Sequence, residues 1–237
     1  MLTVAIHQPN FLPWLGYFDK IARADAFVLL DSVQFPKKGG TWTNRVRILV
    51  NGEPTWLTVP IDRAYHGTRA IREMRLRDDD GRWRETALKT LRSAYGRTPC
   101  FDAVFPELEE LLRAPGDDLA GYNERAIRRL CELLGLDTPL VRASDLDADG
   151  AGTDLLVALV RAAGGDAYLA GGGAEGYQED EKFAAAGIEL VRQDFAPPHY
   201  EQGSGEHVAG LSVVDALMQV GFDGVRRLLG LQVLRPS

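Results

Sequence analysis

The spacing of hydrophobic positions changes from a strand pattern to a helix pattern and back within residues 3–35. TVAIH, residues 3–7, is a short apolar run typical of a buried strand. From Pro13, apolar residues recur at helical spacing, with the proline in the first turn. AFVLLD, residues 26–31, is apolar up to its final aspartate, as in parallel strands that are buried on both faces. The pattern predicts a βαβ unit.

The middle of the chain shows an antiparallel signal followed by helical patterns. Two apolar or alternating runs flank the Asn-Gly pair at 51–52, which is a strong short-range signal for a β-hairpin. IREMRL, residues 71–76, predicts a further strand, and three helical segments follow, the last ending at Gly135. We therefore expect a single α/β domain over residues 1–237 with an insert of a hairpin and helices at about 36–135.

Alternation of strands and helices returns in the last part of the chain. Thr153 is the expected N-cap of a helix, and Ser212 is the expected N-cap of a final amphipathic helix. Together with the opening unit, this order predicts an α/β fold with a mostly parallel sheet. Three runs predict strands, namely TPLVRASDL (138–146), DAYLAGG (166–172) and IELVRQDF (188–195).

Polar residues and glycines follow the predicted strands of the parallel sheet. Such sheets bind ligands beyond the carboxyl ends of their strands, so we expect these residues to line one crevice beside the apolar side chains of residues 11–14. The alternative is a buried histidine at position 7 that serves only the scaffold. The residues are His7, Gln8 and Asn10 after the first strand, Asp31 and Gln34 after the second, and Gly171, Gly172 and Gly173 after a later one.

Two further segments have features of anion-binding loops. QFPKKGGTWTNRVR places Lys37, Lys38 and Arg45 around two glycines, which suits binding of phosphate or carboxylate; the alternative is a solvated approach to the hairpin. YLAGGGAEGY, residues 168–177, lies between a strand and a helix, where backbone N–H groups can approach a phosphate. It lacks the GxGxxG spacing and the Walker lysine, so it is a weak nucleotide motif.

Composition excludes several classes of protein. The 27 Lys and Arg residues against 34 Asp and Glu residues give a net charge of −7, which argues against bulk binding of nucleic acid. The two cysteines are far apart and have no partners at metal-ligand spacing, so we expect no disulfide framework and no structural metal. The absence of a long apolar run and of a signal-peptide pattern predicts a soluble, cytoplasmic protein with no membrane insertion.

The motifs HQPNFLPWLGYFDKI, DSVQF, WTNRVRI, YLAGGGAEGY and GLSVVDAL resemble the WbqC-like family over nearly the whole chain. That family is named after a protein encoded among bacterial O-antigen biosynthesis genes, and members also occur beside genes for specialised metabolites. The resemblance implies a biosynthetic role on a glycan precursor or a specialised metabolite. It maps onto His7, Gln8, Asn10, Trp14, Tyr17, Asp31, Gln34, Trp42, Asn44, Arg45, Gly171, Gly173 and Tyr177.

The opening unit also resembles the pantothenate synthetase and nucleotidyltransferase group, with HQPN in place of its H-x-G-H turn and DSVQF ending the second strand. This resemblance implies a three-layer nucleotidyltransferase/HUP-like fold that uses ATP and Mg²⁺ to form an acyl-adenylate, which passes to an amine or amino sugar. The implied roles are phosphate contacts for His7 and Asn10, a triphosphate clamp for Lys37, Lys38 or Arg45, binding of the acid for Gln34, and closure over the nucleotide for glycines 171–173 and Tyr177.

Two other functions compete with this interpretation. One is an acyl- or aminoacyltransferase whose donor is activated on coenzyme A, tRNA or a carrier protein, with His7 as general base. The other is a noncatalytic module that binds a glycan or a partner enzyme through the ring faces of Trp14, Tyr17, Trp42 and Tyr177.

Overall fold

Strand and helix alternation at the two ends of the chain produces a five-stranded parallel sheet. The computed structural model describes residues 1–38, 41–77, 80–172, 179–203 and 206–231. The chain forms two units, of which the first comprises Met1–Pro9, Gly16–Val33 and Leu136–Ala196, and the second Asn10–Leu15, Gln34–Gly135 and Pro197–Ser237.

The elements alternate at both ends of the chain and are mainly helical in the middle. The strands are β1 (Thr3–His7), β2 (Ala26–Leu29), β3 (Arg45–Val50), β4 (Glu53–Thr58), β5 (Leu140–Arg142), β6 (Ala167–Ala170) and β7 (Glu189–Arg192). The helices are α1 (Leu15–Ala22), α2 (Arg82–Tyr95), α3 (Phe101–Arg113), α4 (Leu119–Leu134), α5 (Gly152–Ala162), α6 (Asp180–Ala185) and α7 (Val213–Leu228), with 3-10 turns at Ile71–Glu73 and Ala143–Asp145.

The sheet of the first unit has the order β5-β2-β1-β6-β7, and all its neighbouring strands are parallel. Taken in chain order, this is third-second-first-fourth-fifth, the order of the doubly wound nucleotide-binding sheets. The direction of winding reverses between β1 and β6. With its helices and the separate antiparallel hairpin, the chain has the α/β fold expected from the sequence, and the parallel sheet is consistent with a three-layer arrangement.

The core of the first unit is built from the apolar runs that predict its strands and helices. The Tyr168 ring stacks on the Phe183 ring with centroids 5.0 Å apart. Each fully buried aliphatic or aromatic side chain contributes roughly 1.5–3 kcal/mol to the stability of the fold. The buried members include Val4, Ile6, Val28, Leu159, Val160, Tyr168, Phe183 and Ile188.

The second unit contains the hairpin and the longer helices. Asn51 and Gly52 have φ angles of 53° and 81°, as a two-residue turn of type I′ requires, so β3 and β4 pair in register across them. Gly135 ends α4 with φ 64°, and Ser212 begins α7 by accepting a hydrogen bond from the Val214 amide at 3.2 Å. All three signals were predicted from the sequence and are confirmed.

Two local predictions are wrong. Residues 71–73 form a 3-10 turn instead of a strand, and the Ala70 amide donates to the Glu73 carboxylate at 2.6 Å. Helix α5 begins at Gly152, so Thr153 is not its N-cap; the Thr153 hydroxyl accepts from the Glu179 amide at 3.1 Å. In the described part of the chain, no helix combines the length and the apolar character needed to cross a bilayer.

Candidate functional site

The carboxyl ends of β1 and β6 lie side by side where the winding of the sheet reverses. Strand β1 ends at His7, and β6 ends at Ala170 immediately before Gly171. Parallel sheets of this kind bind ligands in the crevice at this switch point, because helices leave the two strands in opposite directions. Side chains of α1 and of residue 193 reach these two strand ends.

Lys20 is a buried lysine at the switch point. Its side chain comes from the last turn of α1 and is 3% exposed. The amine donates to the Ile6 carbonyl at 2.9 Å and lies 5.8 Å from the centre of the Tyr168 ring. A Cβ atom built on Gly171 would lie 3.8 Å from the amine, so Lys20 borders both β1 and β6.

Burial of the Lys20 amine is unfavourable in free energy for its charged form. Burial lowers its pKa from 10.5 to about 8, and Lys20 makes no ion pair with any residue that the structure describes. A buried ammonium without an opposite charge is unfavourable, and such groups concentrate at functional sites. An anionic ligand bound next to the amine would supply the missing opposite charge and so explain the burial of Lys20.

His7 and Tyr17 both form a hydrogen bond to one carbonyl oxygen. Its Nδ1 lies 3.1 Å from the Gln8 oxygen, and the Tyr17 hydroxyl donates to the same oxygen at 3.1 Å. Since a carbonyl oxygen only accepts, Nδ1 carries the proton, and in the neutral ring Nε2 carries the lone pair. Burial, and then the charge of Lys20, lower the pKa of His7 from 6.5 to about 3. The ring is therefore neutral at physiological pH.

Gln193 fixes α1 against the end of β6. Its side-chain amide donates to the Gly16 carbonyl at 2.6 Å and to the Asp19 carboxylate at 2.8 Å, and its backbone amide donates to Ala170 at 2.9 Å. Adjacent helical residues point in different directions, so Asp19 is directed to this amide while Lys20 is directed to the sheet. Gln193 is thus a positioning residue.

Both carboxylate oxygens of Asp31 accept hydrogen bonds within the first unit. One carboxylate oxygen accepts from the Ser144 amide at 2.9 Å, and the other accepts from the Ser144 hydroxyl at 2.7 Å. These bonds connect the end of β2 to the turn that follows β5. The geometry gives Asp31 a role in holding the rim of the sheet.

Residues 10–15 of the opening motif belong to the second unit. Asn10 is 2% exposed, and neither amide atom of its side chain has a hydrogen-bond partner among the described residues. Leu12 has a φ of 39°, an unusual conformation for a leucine, and its carbonyl accepts from the Ser212 hydroxyl at 2.7 Å. Unsatisfied polar atoms and backbone strain of this kind cost stability and concentrate at functional sites.

Trp42 and Asn44 lie in the turn that leads into the hairpin. The Phe11 amide donates to the Trp42 carbonyl at 2.9 Å, and the Trp14 and Trp42 rings have centroids 5.9 Å apart. Asn44 is buried; its oxygen accepts from the Thr41 amide and its nitrogen donates to the Val59 carbonyl, both at 3.1 Å. The Asn44 side chain therefore shapes the turn that presents Trp42.

The remaining predicted site residues fall into different settings. Gln34 is exposed and forms a backbone bridge with Ala70. Lys37 and Lys38 are also exposed. Gly172 follows Gly171 in the first unit, whereas Gly173 and Tyr177 lie outside the described residues. Within the first unit the structure brings together His7, Gln8, Tyr17 and Gly171, and within the second it brings together Asn10, Trp14, Trp42, Asn44 and Arg45.

A comparison with known protein families gives a match over almost the whole chain. The family model for the WbqC-like protein family matches residues 8–227. The chain belongs to this family. An uncharacterized protein of Mycobacterium tuberculosis (strain ATCC 25618 / H37Rv), Rv1507c, is 30% identical over 225 residues, which cover 94% of this chain and 96% of that protein. No solved structure matches the chain.

In this WbqC-like protein, sequence reasoning missed Lys20 and Gln193. A signal for Lys20 was present, because it follows Tyr17 by three residues and so shares a helix face with a residue already selected. The contact of Gln193 with α1 joins positions 177 residues apart and has no local signal.

Proposed function

We propose that this WbqC-like protein is an enzyme that activates a carboxylic acid with ATP and transfers the acyl group to an amine. The observation that carries the proposal is the buried amine of Lys20 beside His7 at the switch point of a sheet with nucleotide-binding strand order. Nucleotides are the common ligands at this position in such sheets.

In this proposal, Lys20 binds the α-phosphate of ATP, which remains in AMP after pyrophosphate leaves. With a pKa of about 8 the amine is mostly protonated at neutral pH, and an anion beside it raises the pKa further. In the first step an oxygen of the acid attacks the α-phosphorus, and pyrophosphate leaves with the electrons of the broken P–O bond. A fixed ammonium group in a site with little water stabilises the charge that develops on the phosphoryl oxygens.

His7 is assigned to the second step as a proton acceptor. The amine attacks the acyl carbon, its proton passes to the Nε2 lone pair, and AMP leaves with the electrons of the broken C–O bond. The Lys20 charge is one cause of the low pKa of His7. A phosphate bound to Lys20 offsets that charge and raises the basicity of the ring. The orientation of Nδ1 toward the Gln8 carbonyl favours this role over donation to a phosphate.

The proposal also concerns the metal ion and the substrates. Mg²⁺ would be held by the nucleotide phosphates, since no group of three or more metal-ligating side chains occurs among the described residues. The phosphate contacts predicted for Asn10, Lys37, Lys38 and Arg45, and the acid contact predicted for Gln34, stay predictions from the sequence, and all five residues belong to the second unit. The substrates would be a small acid and an amine or amino sugar, with a carrier protein as a further candidate partner.

The two steps can be separated by isotope exchange. We would measure the incorporation of labelled pyrophosphate into ATP with amino acids, short fatty acids and sugar acids, for the wild type, Lys20→Met, His7→Gln and the control His66→Gln. Lys20→Met should lose acid-dependent exchange. His7→Gln should retain exchange and lose amide formation, while the exposed His66 should be dispensable. The absence of exchange with every acid, together with the absence of ATP binding by calorimetry, would overturn the proposal.

One observation favours a second candidate, an acyltransferase with a preformed thioester or ester donor. A neutral His7 with its lone pair on Nε2 is the form that a general base needs, and this role requires no nucleotide. This alternative predicts amide formation from a coenzyme A, tRNA or carrier-protein donor in the absence of ATP. The isotope-exchange measurement distinguishes the two candidates.

A further inference from the structure

Three tryptophans and two arginines form a cluster at the hairpin of the second unit. Strand β3 places Arg45 and Arg47 two residues apart, so both side chains lie on the same face, and Arg47 is the cross-strand partner of Trp56 on β4. Trp42 lies 5.4 Å from Trp56 between ring centroids. We call this set, Trp14, Trp42, Trp56, Arg45 and Arg47, the hairpin platform.

The arginines of the hairpin platform stack on its tryptophans. The Arg45 guanidinium carbon lies 4.2 Å from the centre of the Trp56 ring, and the Arg47 guanidinium carbon lies 5.9 Å from the centre of the Trp42 ring. Stacking holds a guanidinium flat and leaves its in-plane N–H groups able to bind an oxyanion through two hydrogen bonds. The arrangement is therefore organised before any ligand binds.

The charges of the hairpin platform lack a partner within the described part of the chain. Neither Arg45 nor Arg47 takes part in an ion pair there, and the Nε atom of each is buried without a hydrogen-bond acceptor. Each unsatisfied donor of this kind costs stability. Both arginines are partly exposed, so a ligand that carries a carboxylate or phosphate can pair with their charges.

The tryptophan rings define the part of the ligand next to the anion. Trp42 is 37% exposed and Trp56 is 43% exposed, although large apolar side chains are usually covered. The Trp14 and Trp42 rings are inclined by 52°, and the Trp42 and Trp56 rings by 60°. No parallel slot for a planar base exists between either pair. Inclined rings instead suit the C–H faces of a saturated ring.

We propose that the hairpin platform binds a sugar that bears one oxyanion, with the sugar ring against the tryptophans and the carboxylate or phosphate on Arg45 and Arg47. The anion has two possible sources, a sugar acid or a sugar phosphate, and both offer at least two acceptor oxygens on one atom for a guanidinium to bind. This inference concerns binding alone and does not depend on the use of ATP.

Tryptophan emission reports directly on the hairpin platform, because the chain has four tryptophans and three of them belong to it. The fourth, Trp83, is buried against Tyr122, with ring centroids 5.8 Å apart. In a Trp83→Phe background, we would titrate glucuronate, glucose 1-phosphate, neutral methyl glucoside and inorganic phosphate without nucleotide. The expected result is saturable quenching by one of the two anionic sugars at a concentration at least tenfold lower than for the neutral sugar or for phosphate alone.

A matched pair of arginine variants tests the assigned contact. Arg45→Gln should weaken binding of the anionic sugar at least tenfold. Arg92→Gln removes the same charge from another stacked arginine of the second unit, whose guanidinium carbon lies 4.6 Å from the centre of the Phe105 ring, and should change binding less than twofold. Equal losses in the two variants, equal binding of phosphate and sugar phosphate, or no quenching by either anionic sugar would overturn the inference.

Discussion

Each unit contains a buried ionisable group, and the two groups differ in how completely the chain supplies their hydrogen-bond partners. Asp215 in the second unit is fully buried, and its two oxygens accept from the Tyr95 hydroxyl at 2.9 Å and the Tyr200 hydroxyl at 2.8 Å. Lys20 in the first unit has one carbonyl oxygen and one aromatic ring as its described contacts. Burial raises the pKa of Asp215 and lowers that of Lys20.

This difference distinguishes a structural group from a candidate functional one. The Asp215 network extends into the hairpin, because the Tyr95 hydroxyl also accepts from the Leu49 amide at 3.0 Å. Its members satisfy one another, so it stabilises the second unit without a ligand. The ammonium of Lys20 has donors to spare, and for this reason we propose an anionic ligand beside it.

The strongest test of this comparison is the removal of the Lys20 charge. Lys20→Met keeps the apolar stem and should lower the catalytic efficiency on the order of 10³-fold, since it removes the charge that we propose stabilises the transition state. The free energy of unfolding at pH 7 should stay equal or rise, because a buried charge is removed. Steady-state kinetics and urea denaturation measure the two quantities.

The control for this variant is Lys182→Met in the same unit. Lys182 is partly exposed and pairs with Asp154 at 2.8 Å on the surface, so its removal should change activity less than twofold. If Lys20→Met were active and less stable than the wild type, Lys20 would be a scaffold residue like Asp215, and the contrast between the two groups would disappear.

The next largest effect is expected when the Asp215 network is broken. Asp215→Ala leaves two tyrosine hydroxyls without an acceptor and creates a cavity, and it should lower the free energy of unfolding by about 2–4 kcal/mol. Asp215→Asn should cost less than about 1 kcal/mol, since the amide accepts from Tyr95 and donates to Tyr200. Equal losses in urea denaturation would show that the charge, rather than the hydrogen bonding, stabilises the network.

The burial of His7 in the first unit predicts how the free energy of unfolding depends on pH. Its pKa is about 3 in the folded chain and has an ordinary value of 6.5, so the unfolded chain binds more protons between these values. The free energy of unfolding should therefore fall as the pH falls from 6.5 toward 3, with His7 contributing at most about 1.4 kcal/mol per pH unit.

His7→Gln should remove this part of the acid sensitivity, whereas the exposed His66→Gln should retain it. Thermal unfolding of both variants and the wild type at several pH values measures the difference. Comparison with the wild type is needed because the raised pKa of Asp215 acts in the opposite direction, stabilising the fold as the pH falls. Parallel pH curves for His7→Gln and the wild type would contradict the assigned environment of His7.

The smallest effect is expected at Tyr200. Tyr200→Phe removes one donor to Asp215 while the hydrogen bond from Tyr95 remains, so it should cost about 1 kcal/mol in the free energy of unfolding. The pKa of Asp215 should rise further, because its charged form loses a donor. Chemical denaturation at pH 5 and pH 7 would show a larger loss at pH 7, and an equal loss at both would contradict this account.

The sequence predicted the elements whose signals are local. The opening βαβ unit, the hairpin at Asn51-Gly52 and the end of α4 at Gly135 depend on nearby residues, and the structure has them at these positions. Residues 71–73 were misassigned because Ile71 and Met74 are both buried at a spacing of three, which is the period of a 3-10 turn. A short apolar run does not distinguish this period from that of a strand.

The candidate site was predictable only in part, for a similar reason. His7 is the last residue of a strand that the pattern indicates, so its place at the carboxyl edge could be deduced. The burial of Lys20 depends on the pairing of β1 with β6, which lie more than 150 residues apart in the chain. The stacking of Arg45 on Trp56 depends on the register of the hairpin. Contacts fixed by strand order and register leave no mark in local spacing.

The late position of β5 in the chain leaves one edge of β2 unpaired during synthesis. Strand β2 ends at Leu29, and its neighbour β5 begins at Leu140. At typical rates of synthesis the intervening residues require roughly 5–20 s, during which the apolar edge of β2 has no strand to pair with. An unpaired hydrophobic edge is an aggregation site. Yield in a cell-free system should therefore respond to added chaperones more strongly than the modest size of the protein would suggest.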